Sequence, residues 1–305
     1  MMRSSYWDTD IWHASKLDQL VCPRRYYYAQ VEKLESLASS VFAYAGTVIH
    51  TGLDTWYSTD KDDEAALTAA EQSWGDYESP SDPDPAKDLS WLNLNHVLHV
   101  LRAYFDRWRE SDAFTVLESE VEFVADYPGF RYGGRRDLKV RDEAGLIYIV
   151  DHKSTTGNMG DYWFGQFKIS NQLRGYYEPN AAGVIVNGLY MGKDGIAGYH
   201  PAETYTDKSG KERTKRQRSI DAAFQRKVFT FSEKHLSEWE DNVRKLIAEV
   251  EWRTATDNWP QMTAAGICRS CDFSALCSAN PRLRASLRAS EYRTRGESED
   301  TDDND

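Results

Sequence analysis

The 305-residue chain contains no run approaching the about 18 consecutive apolar residues of a membrane span, and its start, MMRSSYWDTDIWH, lacks the apolar stretch of an export signal. These absences predict a cytoplasmic protein with no membrane partner. Cysteine is scarce: four residues are too few for a secreted disulfide scaffold. No internal repeat occurs, and collagen, coiled coil and a wholly disordered chain are excluded. Net positive charge is also missing, the formal balance being −12. That sum argues against a nucleic-acid partner only if the charge is evenly spread.

It is not. The tail from Glu297 to Asp305 carries six acids and no base, and Ser58 to Asp88 carries ten acids against two lysines. Together they exceed the whole net charge. The rest is close to neutral, with a basic run of eight bases from Lys208 to Lys227 and an Arg-rich stretch from Arg282 to Arg295. A local basic groove is compatible with this distribution. The chain is 40% hydrophobic and holds 10 Trp, 18 Tyr and 11 Phe, so it has ample material for a core.

The order of patterns is helical, then strand-rich, then helical. Ser15 is placed to cap a helix through LDQLVCPRRYYYAQV, and a second helix runs from Phe42 through HTGLDTWY. A helix over EAALTAAEQSW precedes SPSDPDPAKD, whose prolines mark a surface loop. Leu94, Val97, Leu98, Leu101, Tyr104, Phe105 and Trp108 recur at helical spacing, with His96 and His99 on the same segment as packing or surface residues. From Phe114 the period becomes two: FTVLESEVEFVADY, FRYGGRRDLKV and LIYIVDHKS form an antiparallel meander. GVIVNGLYM and RKVFTF add strands, and Ser232 opens a long helix. Helices around a short mixed sheet define an α/β domain.

The meander concentrates the chemistry. Pairing Val140 with Leu146 across RDEAG makes Asp137 face Ile149, with Asp151 two residues further along. Alternation then puts Asp137, Asp151 and Lys153 on one face, the carboxylates diagonal neighbours at roughly 7 Å between Cα atoms. Two carboxylates on rigid strands suit a hard cation such as Mg²⁺ or Mn²⁺. Lys153 is placed to orient a water or offset phosphate charge. An acid directly after the apolar run LIYIV is costly unless paired, which favours function over an incidental strand end.

Three of the cysteines sit together, Cys268, Cys271 and Cys277, while Cys22 lies in LVCPRRYYY. Four thiolates complete one tetrahedral set for zinc or an iron-sulfur cluster, and spacing does not choose between them. Arg24 and Arg25, beside the Tyr26 to Tyr28 run, are candidate contacts to single-stranded DNA.

Taken together these motifs resemble the PD-(D/E)XK nuclease superfamily, specifically its RecB-like exonuclease branch with an iron-sulfur cluster, which includes CRISPR-associated exonucleases. Cys22 with PRRYYY resembles that branch's N-terminal cysteine segment; GTVIH matches G-x-x-H through His50; SEVEF supplies the preceding acid, Glu120. GRRD matches G-R-x-D through Asp137, DHK matches (D/E)-x-K through Asp151 and Lys153, and QLRGY matches Q-x-x-x-Y through Gln172 and Tyr176. Cys268, Cys271 and Cys277 match its cluster segment; no single motif is specific, but seven in the right order are strong evidence.

The resemblance implies a restriction-endonuclease-like core in one domain over 1–295. It also implies a cysteine segment at 266–280 joined by Cys22; the acidic insertion at 58–90 and the residues after Asn280, which end in a disordered acidic tail expected at 296–305, exceed what the family's small stand-alone members carry. It implies a Mn²⁺ or Mg²⁺ ion held by His50, Asp137, Asp151 and the His152 carbonyl, with Glu120 and Lys153 in the catalytic set. The cysteines would then hold a 4Fe-4S cluster rather than zinc, and Gln172 and Tyr176 would face the cleft and touch a strand end. The expected partner is DNA, single-stranded or with free ends. The expected activity is exonucleolytic hydrolysis in recombination, repair or CRISPR-type spacer processing. The other classes to weigh are a non-catalytic DNA-binding module and a zinc-stabilised structural or interaction protein.

Overall fold

Period-two stretches from Phe114 onward give the chain its longest strands, and everything else is arranged around them. The computed structural model describes residues 10–37, 40–75, 89–262, 264–269 and 271–295. The loop SPSDPDPAKD expected after the acidic helix and the acidic tail both lie outside the described residues. Along the first half run β1 (Ile11–Trp12), α1 (Ala14–Asp18), α2 (Pro23–Tyr26), β2 (Leu34–Ser36), α3 (Val41–Ser58), α4 (Asp63–Gly75) and α5 (Leu94–Trp108). The sheet-forming part follows with β3 (Phe114–Tyr127), β4 (Phe130–Asp142), β5 (Ile147–Thr155), α6 (Asp161–Gly165), α7 (Asn171–Tyr176) and β6 (Ala181–Tyr190). The chain continues through β7 (Thr204–Thr206), β8 (Glu212–Thr214), α8 (Ile220–Ala223), β9 (Phe224–Phe229) and α9 (Glu233–Thr256). It ends in α10 (Ala265–Cys268), α11 (Ser274–Ser278), α12 (Arg284–Glu291) and β10 (Tyr292–Thr294). Among the described residues no helix is long and apolar enough to cross a membrane.

The central sheet is mixed and flanked by helices, in the order β1-β4-β5-β6-β9, with β3 along the other edge of β4. β3, β4 and β5 run antiparallel as expected, β5 and β6 are parallel, and β6 and β9 are antiparallel. One part of the core packs α3, α4 and α5 on the sheet, with Trp56, Tyr104 and Phe105 among its fully buried side chains. A second cluster, Trp12, Tyr26, Phe130, Tyr132 and Trp239 among others, packs α9 and the N-terminal segment on the far end of β4. A third joins Tyr28 and Leu34 to Phe273, Leu276 and Tyr292, and β10 pairs with β2. The two ends of the chain thus build one lobe.

Two local expectations are corrected. The first helix does not run unbroken from Ser15: His13 caps α1, and the chain turns extended at Cys22 (φ −138°, ψ 115°) before Pro23 opens α2. A residue preceding proline is pushed out of the helical region, and that break frees the Cys22 side chain from the helix. The helix expected over EAALTAAEQSW is present as α4, with Ala66 and Ala70 fully buried against the neighbouring helices.

The β4–β5 register differs by two: Val140 pairs with Tyr148 and Leu138 with Val150. The hairpin turns at Asp142 to Gly145, where the Gly145 N–H donates to the Asp142 carbonyl at 3.0 Å and Gly145 takes φ +82°. This is a type I turn closed by a left-handed glycine, not the five-residue loop the sequence suggested. A shift of two preserves which face each side chain takes.

Candidate active site

Continuing the pairing one residue past Leu138 and Val150 brings Asp137 level with Asp151, opposite it rather than diagonal to it. On the other edge of β4, Glu120 lies between the pairs Ser119–Leu138 and Val121–Arg136, so it is level with Asp137 too. Three acids from three strands therefore share one rung. β4 carries β1 at Arg131–Tyr132 and β5 only from Leu138 onward, so its edge is unpaired between them. There the two strands part, and the His152 N–H donates to the Asp137 carboxylate at 2.6 Å instead of to a β4 carbonyl. A cleft of about 640 Å³ opens at this gap, bordered by Gly133, Asp137, His50 and Glu120.

Each side chain has a local reason for its place. Glu120 sits just past a bulge in β3, where the register skips Leu117, and has φ +50°. A non-glycine residue in that region is strained by about 1–3 kcal/mol, so its neighbours must hold it. Arg135 does so at 2.7 Å from one Glu120 oxygen. His50 on α3 brings Nδ1 to 3.8 Å from Glu120 and 3.6 Å from Asp137. Among the described residues, His50, Glu120 and Asp137 are the one group of three potential ligand atoms within 4.8 Å of one another. Asp151, beside them and fully buried, is engaged by the Lys153 ammonium at 2.9 and 2.8 Å from its two oxygens. Only the first contact has hydrogen-bond geometry, so Asp151 Oδ2 is buried without a hydrogen bond.

Electrostatics tie the group together. Burial would lower the His50 pKa, but the Asp137 charge and a hydrogen bond to Glu120 outweigh it and raise the value. Burial pushes the Asp151 carboxyl up against the pull of Lys153; burial pulls Lys153 down, and Asp151 and Asp137 more than reverse it. A proton on His50 thus stands where a cation would satisfy the same acids. An imidazole nitrogen, converging carboxylates and an orphaned buried oxygen fit a hard divalent ion.

Between α3, α5 and the sheet lies a buried polar network that the sequence reading did not find. His152, Asn187 and Arg226 are successive partners across β5, β6 and β9. Asn187 Nδ2 donates to His152 Nδ1 and to the Tyr104 hydroxyl, both at 2.7 Å, and Arg226 Nε donates to Asn187 Oδ1 at 2.9 Å. Arg226 also grips buried Asp112 with two nitrogens, and the Tyr57 hydroxyl donates to Asp112 at 2.7 Å. Burial first, and the His50 charge second, keep the His152 ring neutral, with its pKa well below the usual range. Tyr57 lies two turns beyond His50 on α3, so the network joins the helix carrying His50 to the strand whose amide fixes Asp137. Asn187, a lone polar residue in the apolar run GVIVNGLYM, was the one visible signal.

The remaining candidates divide. Gln172 and Tyr176 border the same cleft, with Gln172 Nε2 donating to the Tyr176 hydroxyl at 3.2 Å. The Tyr176 ring, however, is buried over Gly134 and edge-on to Phe123 at 5.4 Å, so it has no free face for stacking a base. Cys22, Cys268, Cys271 and Cys277 do come together, lining a separate cavity of about 350 Å³ with Arg25. Arg24 lies over Tyr27 and Tyr28 in that same lobe, away from the acid rung. His96 and His99 meet a third histidine, His200, at ring distances of 4.5 and 5.0 Å. The Ile196 N–H donates to His200 Nδ1 at 2.9 Å, so Nε2 carries the proton and the ring offers no lone pair to a metal.

Fold and site together define an α/β protein with a candidate acidic cation site in a split of its central sheet. The chain belongs to the PD-(D/E)XK nuclease superfamily, whose family model matches residues 14–278. Members of this superfamily act on nucleic acid and use divalent metals such as Mg²⁺ or Mn²⁺. The comparison with curated proteins finds no match. Among solved structures, a candidate exonuclease from Eubacterium rectale is similar at a TM-score of 0.48 and 9% identity over 86% of this chain and 90% of that one. The protein SSO0001 is similar at a TM-score of 0.33 and 16% identity, over 77% and 84% of the two chains.

Proposed function

We propose that the chain is a metal-dependent DNA exonuclease of the RecB-like branch, with Asp137, Asp151, Glu120 and Lys153 as its catalytic set. The observation that carries this reading is the rung of three acids with Lys153 bonded to the buried Asp151. His50, Glu120, Asp137 and Asp151, with the His152 carbonyl, would hold Mg²⁺ or Mn²⁺. When bound, such an ion supplies Lewis acidity that activates a water and offsets charge on the phosphate. The chain's own groups do the rest. The His152 amide fixes Asp137 for coordination. The Lys153 ammonium, freed from one Asp151 oxygen, stabilises the charge that grows on the phosphate oxygens. Gln172 and the Tyr176 hydroxyl offer polar contacts to a terminal nucleotide.

In the same reading residues 1–295 form one nuclease domain and the four thiols hold a 4Fe-4S cluster. The four thiols line one cavity of about 350 Å³, a donor set of the kind such a cluster takes. Recombination, repair and spacer processing are the pathways consistent with an end-directed enzyme.

The test is degradation of end-labelled linear DNA against a covalently closed circle of the same sequence, with Mn²⁺ or with EDTA. Faster loss of the linear form, only with metal, is expected. Equal rates on both would make the enzyme an endonuclease, and no cleavage of either would leave the DNA-binding module as the better reading.

A further inference from the structure

The basic run after β6 folds into a ribbon that nothing in the active site uses. β7 and β8 pair Thr204 with Thr214, Tyr205 with Arg213 and Thr206 with Glu212, and all six residues are exposed. Its tip is stiff. Gly210 takes φ +79°, and the Asp207 carboxylate accepts from the Ser209 amide at 2.8 Å, the Lys211 amide at 3.1 Å and Arg213 Nε at 3.0 Å. Its root is stiff as well. Arg218 exchanges backbone hydrogen bonds with Gly195 and Ala197 at 3.0 and 2.8 Å, and Gln217 donates to the His200 carbonyl at 3.0 Å. The His200 ring in turn packs on His96 of α5. Met191 at the end of β6 donates to Thr155 at the end of β5 at 2.8 Å, so the ribbon rises from the strand ends next to Lys153.

From Glu203 to Arg218 six bases meet three acids in a chain whose net charge is −12. Two of those acids are matched inside the ribbon, Asp207 by Arg213 and Glu203 by Lys215. Lys208, Lys211 and Arg216 are exposed, and among the described residues no carboxylate is in ion-pair contact with them. A ribbon with no apolar face to bury gains nothing for the core, yet it is held rigid at both ends and presents cations on a stalk rooted at the end of the strand that carries Lys153. We propose that this ribbon is an arm that holds the phosphate backbone of the DNA strand leading into the cleft, an inference that rests on the nuclease reading above. Each phosphate it neutralises releases counterions, so its contribution is read in the salt dependence of binding.

Binding is measured by fluorescence anisotropy of a long labelled DNA single strand in EDTA, across a salt series. Lys208→Gln/Lys211→Gln should raise Kd about three- to tenfold and flatten the plot of log Kd against log salt by about 1.4. Glu212→Lys should lower Kd, a gain that misfolding cannot imitate. Lys234→Gln/Lys245→Gln, two exposed lysines on α9, should change neither quantity. Melting temperatures should agree across the set. If the ribbon variants bind with the wild-type Kd and slope, or no more weakly than the α9 pair, the arm is overturned while the nuclease reading stands. If the wild type neither binds nor cuts DNA, both fall.

Discussion

Glu120 shows how a single residue can trade stability for chemistry. Its left-handed backbone is unfavourable for a side chain, and it points a carboxylate at His50 and Asp137. Glu120→Gly removes both the strain and the ligand. The variant should melt at or above the wild-type temperature, a gain of up to about 1 kcal/mol, while Mn²⁺ binds more weakly in a calorimetric titration. A clear loss of stability with unchanged Mn²⁺ affinity would show that Glu120 serves the fold alone. His50 has a matching double character: on its own a histidine inside α3 says little, and only the approach of two acids from other strands makes it a ligand candidate.

Elements place these residues, and the contacts that matter are between elements distant in sequence. Arg226 on β9 and Asp112 after α5 form a buried ion pair, and Arg226→Met would leave Asp112 charged and alone. A loss of about 3–5 kcal/mol in urea unfolding is expected, most of it recovered in Arg226→Met/Asp112→Leu, which removes both charges. No recovery in the double variant would mean that the pair's hydrogen bonds to Asn187, Tyr57 and Tyr104 matter more than its charge balance.

His200, packed on His96 and His99, has its pKa lowered to about 4, by burial first and by His96 and His99 next. Its folded state therefore binds fewer protons than the unfolded chain between about pH 6.5 and pH 4. The stability this histidine contributes is full above that window and is lost as pH falls through it. Partial exposure keeps the slope below the about 1.4 kcal/mol per pH unit of a shielded group. His200→Gln should flatten the pH dependence of the melting temperature in that window, and an identical profile would contradict the burial account.

The three long strands, nine to fourteen residues each, were legible because period-two stretches such as Val121 to Phe123 and Leu138 to Val140 recur between turn residues. The register was misjudged by two because the turn uses left-handed Gly145, yet parity survived and with it the shared face of Asp137, Asp151 and Lys153. The two- and three-residue strands have no readable period. The Asp112, Asn187 and Arg226 network joins residues up to 114 apart, beyond any local pattern.

At the scale of the whole molecule the two chain ends meet in the cysteine lobe, with Cys22 facing Cys268, Cys271 and Cys277 across one cavity and β2 pairing with β10. Shared ligation there would close most of the chain into a loop, so Cys22→Ala should lose iron and lower the melting temperature together. Unchanged iron content would remove Cys22 from the ligand set, and zinc in place of iron in protein purified without oxygen would change the lobe's chemistry but not its architecture. The rung of acids stands apart from that lobe, and the nuclease reading rests on it. The most direct test is therefore the release of nucleotides from labelled linear DNA by wild type and Lys153→Met, side by side in Mn²⁺, with DNA binding measured in EDTA. Metal-dependent release by the wild type and a drop of about a hundredfold or more in the variant, with binding retained, is the predicted result. Equal release by both proteins would contradict the assignment of the site.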